Sequence, residues 1–202
     1  MKIKITLLSI FILSMLTASA QVKYVRYFEG DIKAVEGEMT RDSIPTGKWI
    51  WYHPNGKIFQ EGTYKDGEKT GQWNVFYDNG NRCAEDFYEN GINRAWYRNG
   101  QLENEIEIKD GKKQGKYVSW HENGKKKLEV FFENGLREGK TSEWHPNKQL
   151  KFEGTYKNGL LNGTGIWWFA NGNKEMEGVL VDDEQEGKWI FYWQTTDRKS
   201  VV

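Results

Sequence analysis

A 24-residue unit recurs from Gly47 to the C-terminus, and no other feature constrains the fold so tightly. Its fullest copy runs from Gly115 to Glu138, GKYVSWHENGKKKLEVFFENGLRE. Gly47, Gly71, Gly115, Gly139, Gly163 and Gly187 open units 24 residues apart, except that the Gly71 to Gly115 interval holds two units, the second shortened by four residues. Asn-Gly follows inside the units at Asn55-Gly56, Asn79-Gly80, Asn99-Gly100, Asn123-Gly124 and Asn171-Gly172, with Asn147-Lys148 in the remaining one. A further glycine closes the return strand at Gly67, Gly91, Gly111, Gly135 and Gly159, and Asp183 takes that place in the last full unit.

Asn-Gly between alternating apolar runs predicts a β-hairpin with a two-residue type I′ turn, which needs positive φ at both central residues. Each unit therefore reads as strand, tight turn, strand, looser turn. No run is free of glycine for long enough to make a helix. The expected fold is all-β: an elongated antiparallel sheet of tandem ~24-residue β-hairpin repeats, each too small to bury a face alone and stabilised by its neighbours. Composition agrees, with 22 Gly, only 3 Pro and 15% aromatic residues, a mixture that suits strands and turns.

A two-residue Asn-Gly loop would pair His53 with Ile58, Trp51 with Gln60 and Trp49 with Gly62. In that register one face gathers Trp49, Trp51, Ile58, Tyr64, Trp73, Val75, Leu128, Val130, Phe152, Trp167 and Leu180, and is the expected buried face. So large an apolar face must either curl over itself or pair with a second copy, giving a homodimer. The opposite face carries two unbroken columns. One is aromatic: Tyr52, Phe76, Trp96, Trp120, Trp144, Trp168 and Tyr192. The other is acidic: Glu61, Glu85, Glu105, Glu129, Glu153 and Glu177. A carboxylate recurring beside rings has a structural use, accepting a hydrogen bond from an indole, a phenol or a turn amide. It also has a binding use, in which aromatic platforms rimmed by acids hold sugars, cationic groups or a partner's Arg and Lys. The candidate binding residues are those seven rings with Glu105, Glu129, Glu153 and Glu177.

Residues 1–20 carry Lys2 and Lys4, an apolar run from Ile5 to Leu16, and Ala18-Ser19-Ala20 before Gln21, which reads as an export signal. A periplasmic or secreted chain is expected, and with no Cys at the cleavage point lipoprotein anchoring is not supported. Residues 21–46 read as a worn capping repeat, 47–193 as six hairpin repeats followed by a C-terminal half repeat, and 194–202 as a tail. Charge is balanced at 29 basic against 29 acidic residues, so no basic field favours nucleic acid.

Enzymatic chemistry is not expected. His53, His121 and His145 share a column with Tyr77, Tyr97, Phe169 and Trp193, a position that asks for a flat ring and not for a metal ligand. Cys83 stands alone, without the His and orienting partner that a catalytic thiol needs. The acids of the column have near-identical surroundings, which argues against distinct acid and base roles. No metal, cofactor or phosphate cradle is expected.

The stretches GKWIWYHPNGKIFQEGTYKDGEKT, from Gly47 to Thr70, and EWHPNKQLKFEGTYKNGLLNG, from Glu143 to Gly163, resemble the MORN-repeat variant family, closest to its bacterial YwqK-like antitoxin repeat proteins. The resemblance covers about Gly47 to Trp193. It implies a hairpin-repeat scaffold that binds proteins or, in MORN proteins proper, is sometimes proposed to touch lipid; the antitoxin resemblance implies capture of a partner toxin. The expected function is an exported, noncatalytic scaffold for protein–protein interaction. The alternative is recognition of a cell-surface polysaccharide or membrane surface through the aromatic ladder.

Overall fold

The computed structural model describes residues 21–193 and 199–201, so the expected export signal and most of the 194–202 tail lie outside the described residues. Every described element is a strand. The hairpins are β1 (Val22–Tyr27) with β2 (Lys33–Met39), β3 (Pro45–Tyr52) with β4 (Ile58–Lys65), β5 (Glu68–Phe76) with β6 (Arg82–Phe87), and β7 (Gly91–Trp96) with β8 (Leu102–Lys109). They continue as β9 (Lys112–Trp120) with β10 (Lys126–Glu133), and β11 (Leu136–Trp144) with β12 (Leu150–Lys157). The short β13 (Leu160–Leu161) leads into β14 (Gly163–Trp168) with β15 (Lys174–Val181), then β16 (Glu184–Tyr192) with β17 (Lys199–Val201). All belong to one sheet, and strands adjacent in the chain pair antiparallel except β13 and β14, which both pair with β12. The closing half repeat has a return strand after all, because Lys199–Val201 pairs with β16.

The two turns of the unit exchange the roles expected of them. The Asp/Asn-Gly turn is the two-residue type I′ loop: Lys65 pairs with Glu68, and Asp66 and Gly67 both have positive φ, 52° and 86°. Asp110-Gly111, Asn134-Gly135 and Asn158-Gly159 repeat it, and Asp182-Asp183 does so with no glycine at all. At the Asn-Gly turn only the second residue is left-handed, as at Gly56 with φ 80°. Gly56 N donates to His53 O (2.9 Å) and His53 N to Lys57 O (2.7 Å), a type I turn closed by a left-handed residue. Pro54 and Pro146 sit at the second position of two such turns, where their fixed negative φ is incompatible with type I′.

The wider loop changes the register. Trp49 pairs with Gly62 and Trp51 with Gln60 as expected, but a bulge at Phe59 sets Ile58 opposite Tyr52 instead of His53. Ile58 therefore leaves the expected buried face and joins the aromatic column, as do its equivalents Arg82, Leu102, Lys126, Leu150 and Lys174. A second irregularity lies where the unit-opening glycines stand. Gly71 (φ 61°), Gly115, Gly139 and Gly187 are left-handed residues within strands, not bends between them.

The core lies along one face of the sheet. Trp49, Trp73, Ile106, Ile108, Val130, Phe152, Leu180 and Trp189 are buried there. It is built by size complementarity between neighbouring strands: the indoles of Trp49, Trp73 and Trp189 cover Gly37, Gly62 and Gly178, whose absent Cβ atoms would overlap the rings. Ring contacts then link Tyr24, Trp49, Trp51, Tyr64, Trp73 and Tyr88 in a chain, with centroid distances of 5.1 to 6.4 Å. Trp49 Nε1 donates to the carbonyls of Glu38 (3.0 Å) and Thr46 (3.1 Å), whereas the indole N–H of Trp189 is buried without a partner.

Neighbouring units are also stitched along both edges. At the Asn-Gly edge, Asn55, Asn123 and Asn147 each use Oδ1 to accept from the amide two residues on and Nδ2 to donate to a carbonyl of the next turn, Asp78, Pro146 and Ala170, at 2.6 to 3.0 Å. Beside them the flat-ring column proves to be polar-tipped. His53, His121 and His145 direct Nε2 to the carbonyls of Phe76, Trp144 and Trp168 (2.7 to 2.9 Å), and Tyr77 and Tyr97 donate from Oη to those of Trp96 and Trp120 (2.8 and 2.7 Å). At the other edge, the amides of Gly67, Gly111, Gly135, Gly159 and Asp183 donate to the carbonyls of Pro45, Glu89, Lys113, Arg137 and Leu161, one repeat earlier.

Candidate functional site

The face opposite the core carries both expected columns. Tyr52, Phe76, Trp96, Trp120, Trp144, Trp168 and Tyr192 stand in one row across the sheet near its Asn-Gly edge, and all seven are half-buried. The register holds them in row because the first six each pair with the bulge-shifted residue of their own hairpin, Trp120 with Lys126 and Trp144 with Leu150, for example, while Tyr192 pairs with Lys199. The interleaved residues alternate along the sheet: Lys33, Ile58, Arg82, Leu102, Lys126, Leu150, Lys174. Cations of this set reach the rings, with the Arg82 guanidinium 5.4 Å from the Trp96 ring centre and Lys126 Nζ 5.2 Å from that of Trp144. Sequence periodicity showed the rings but not the cations between them. Their signal was present in the cation or aliphatic residue three places before each Glu.

The acidic column forms a second row beneath the rings, and every acid in it is partnered. Lys33, Arg82, Lys126 and Lys174 each bridge to the Glu three residues on, Glu36, Glu85, Glu129 and Glu177, at 2.6 to 3.6 Å. Where the interleaved residue is aliphatic, a cation comes from the preceding strand: Lys48 to Glu61 (2.8 Å), Arg94 to Glu105 (2.8 Å) and Lys140 to Glu153 (2.7 Å). Arg94 also reaches Glu85 at 3.3 Å, and Lys116 reaches Glu129 at 2.9 Å. Phenols serve the two ends of the row, Tyr52 donating to Glu36 and Tyr192 to Glu177 (2.6 Å). Of the donors expected for these acids, phenols appear at the ends, and ammonium or guanidinium groups take the rest.

These contacts move protonation equilibria in the direction that keeps the pairs ionised. The Tyr52 hydroxyl and Lys33 hold Glu36 below the usual carboxylate range. Burial pushes Tyr52 up to about 12, helped by its bond to Glu36. For Glu129, burial works upward but the hydrogen bonds from Lys126 and Lys116 prevail, and the carboxyl is lowered. Hydrogen bonding to Glu105 raises Arg94, and hydrogen bonding to Glu177 raises both Lys174 and Tyr192. On the core face, burial raises Asp86, which occupies the place that Gly62 and Gly178 hold in their units.

Chemically this is a surface of ring edges and faces set among neutralised charge. Among the described residues no group of three His, Cys, Asp or Glu side chains is placed to hold a metal ion, and no described helix is long and apolar enough to cross a membrane. Cys83 is half-buried on β6, beside Tyr77.

Fold and face together define a tandem β-hairpin repeat protein, in which every unit adds one rung to a continuous sheet and one ring to a continuous row. The model of the MORN repeat variant matches residues 45–66, 69–90, 89–110, 113–134 and 137–158, more than half of the chain, and the protein belongs to that family. No curated protein matches the chain. Membership makes the protein a repeat scaffold of a kind that often serves protein or membrane interaction.

Proposed function

We propose that this protein is an exported, noncatalytic scaffold that holds a protein partner on the face bearing the aromatic row. One observation carries the reading: the seven rings are half exposed in a single row, while each acid beside them already has a cation or a phenol. Contact area on rigid rings is therefore what the face offers, at low conformational cost to the binder. The noncatalytic part rests on the same acids, since hydrolysis by a carboxylate pair needs two groups in unlike environments. Export rests on the leader sequence. A toxin partner, which the antitoxin resemblance implies, would in this reading be met outside the cytoplasm.

The test is affinity capture from periplasmic and culture fractions with the wild type and with Trp120→Ala/Trp144→Ala, folding being checked by circular dichroism. Loss of the same identified partner in the folded double variant is expected. Undiminished capture of that partner by the variant would rule out the row as its binding face.

A second reading is favoured by the cations over the rings, Arg82 on Trp96 and Lys126 on Trp144. Such pairs suit an acidic cell-surface polysaccharide or an anionic membrane surface. Glycan-array binding or vesicle sedimentation that vanishes in the double variant would select it. A second copy of the chain is the partner proposed for the opposite face, where Trp51, Tyr64 and Trp167 remain half exposed. Light scattering that shows a monomer at high micromolar concentration would exclude that homodimer.

A further inference from the structure

One turn breaks the repeat in a way that concentrates positive charge. In three of the Asn-Gly turns the residue after the left-handed position leans onto the corresponding position of the next unit. Lys57 lies against Gly80, Gln101 against Gly124 and Gln149 against Gly172, with side-chain atoms 3.1 to 3.6 Å from where a Cβ would stand. The same lean carries Lys125 toward residue 148, and there the sequence has Lys instead of Gly. Lys148 adopts φ 76°, a left-handed conformation that L side chains rarely take. The fold thus forces two ammonium groups together at this one turn.

The surroundings do not relieve them. Lys57, the equivalent of Lys125, donates to the carbonyl of Asn79 at 2.7 Å. Lys126 is bridged to Glu129 at 2.7 Å, but Lys125 and Lys148 form no ion pair among the described residues. Repulsion from Lys148 is the main influence that lowers the basicity of Lys125. Gly124, Lys125, Lys126, Lys148 and the Trp144 ring enclose one open cleft, with three ammonium-bearing side chains around an aromatic wall.

We propose that this cleft binds the phosphate group of a small phosphorylated ligand, held by Lys125, Lys126 and Lys148, with Trp144 against the body that carries the phosphate. An oxyanion between Lys125 and Lys148 turns their repulsion into two charge-assisted hydrogen bonds, and lysine is suited to this as a compact point charge. The inference stands on the turn geometry and does not depend on the partner proposed for the aromatic row.

Isothermal titration at low ionic strength with inorganic phosphate, glucose 6-phosphate and glucose tests it. Saturable binding of both phosphates and none of glucose is expected. Lys148→Gly restores the residue used in the other units, so it should fold at least as well, and it should weaken binding at least tenfold. Lys57→Gln, at the equivalent position of a turn that faces Gly80, should leave binding unchanged. Tighter binding of glucose 6-phosphate than of inorganic phosphate, with a change in tryptophan fluorescence, supports the role given to Trp144. Equal affinity supports the phosphate site and rejects that role. Absence of saturable phosphate binding, or equal affinity in wild type and Lys148→Gly, overturns the proposal.

Discussion

The indole of Trp73 lies flat on the backbone of Gly62, in space that any side chain at residue 62 would occupy. Trp73 is fully buried in this way although it belongs to a single sheet, because the ring of one strand roofs the bare backbone of the strand before it. Trp49 on Gly37 and Trp189 on Gly178 repeat the relationship, while buried Val130 and Thr141 stand on adjacent strands where the pair is of intermediate size. Large and small alternate across strands, so the units can differ in composition and still stack at one spacing.

Gly62→Ala should therefore destabilise the protein by about 1–3 kcal/mol, the usual cost of forcing an extra methyl into a packed site. Urea unfolding measures it. Combining Gly62→Ala with Trp73→Leu should cost less than the sum of the two single changes, because the clash needs both the methyl and the indole.

Trp49→Phe and Trp189→Phe remove rings from equivalent seats but differ in hydrogen bonding. The first also strips a donor from the carbonyls of Glu38 and Thr46, whereas the second removes a buried N–H that has no partner. Trp49→Phe is expected to be more destabilising by about 1 kcal/mol, read from paired denaturant midpoints at unchanged m.

The polar-tipped column gives a prediction in which shape is held constant. His121→Tyr should be nearly neutral, since Tyr77 and Tyr97 donate from that position to the equivalent carbonyl. His121→Phe keeps the ring but abandons the Trp144 carbonyl, and should cost about 0.5–1.5 kcal/mol. Equal effects of the two substitutions would show that only flatness matters there.

Stability should fall on the alkaline side as Tyr52 ionises. Its folded pKa of about 12 lies above the ordinary tyrosine value of 10.0, so the unfolded chain loses this proton first. The contribution is fully present below pH 10 and disappears as pH rises through the folded value. Melting temperatures recorded from pH 9 to 12 should drop less steeply in Tyr52→Phe than in the wild type.

At the basic turn, Lys148→Gly should raise the melting temperature, because it relieves both a left-handed side chain and repulsion with Lys125. The gain should shrink at high salt as the charge part is screened. Melting curves at low and high ionic strength separate the two parts.

The period of 24 residues, together with two-residue alternation along strands, was enough to place Trp49, Trp51 and Trp73 on one face and the seven-ring row with its acids on the other. Those assignments depend only on local spacing, and any antiparallel hairpin that repeats must honour them. Turn type was not accessible in the same way, because a glycine with positive φ serves both a type I′ loop and a type I turn with a left-handed closing residue. Pro54 and Pro146 were the visible hint at the Asn-Gly turns. Tertiary structure alone decided that the bulge at Phe59 carries Ile58, and with it Lys126 and Lys174, onto the aromatic row. It also decided which cation neutralises each Glu, and that His53 and Asn55 reach carbonyls 23 residues ahead. Those contacts join groups a whole unit apart in the chain, and they exist only once one hairpin has been laid against the next.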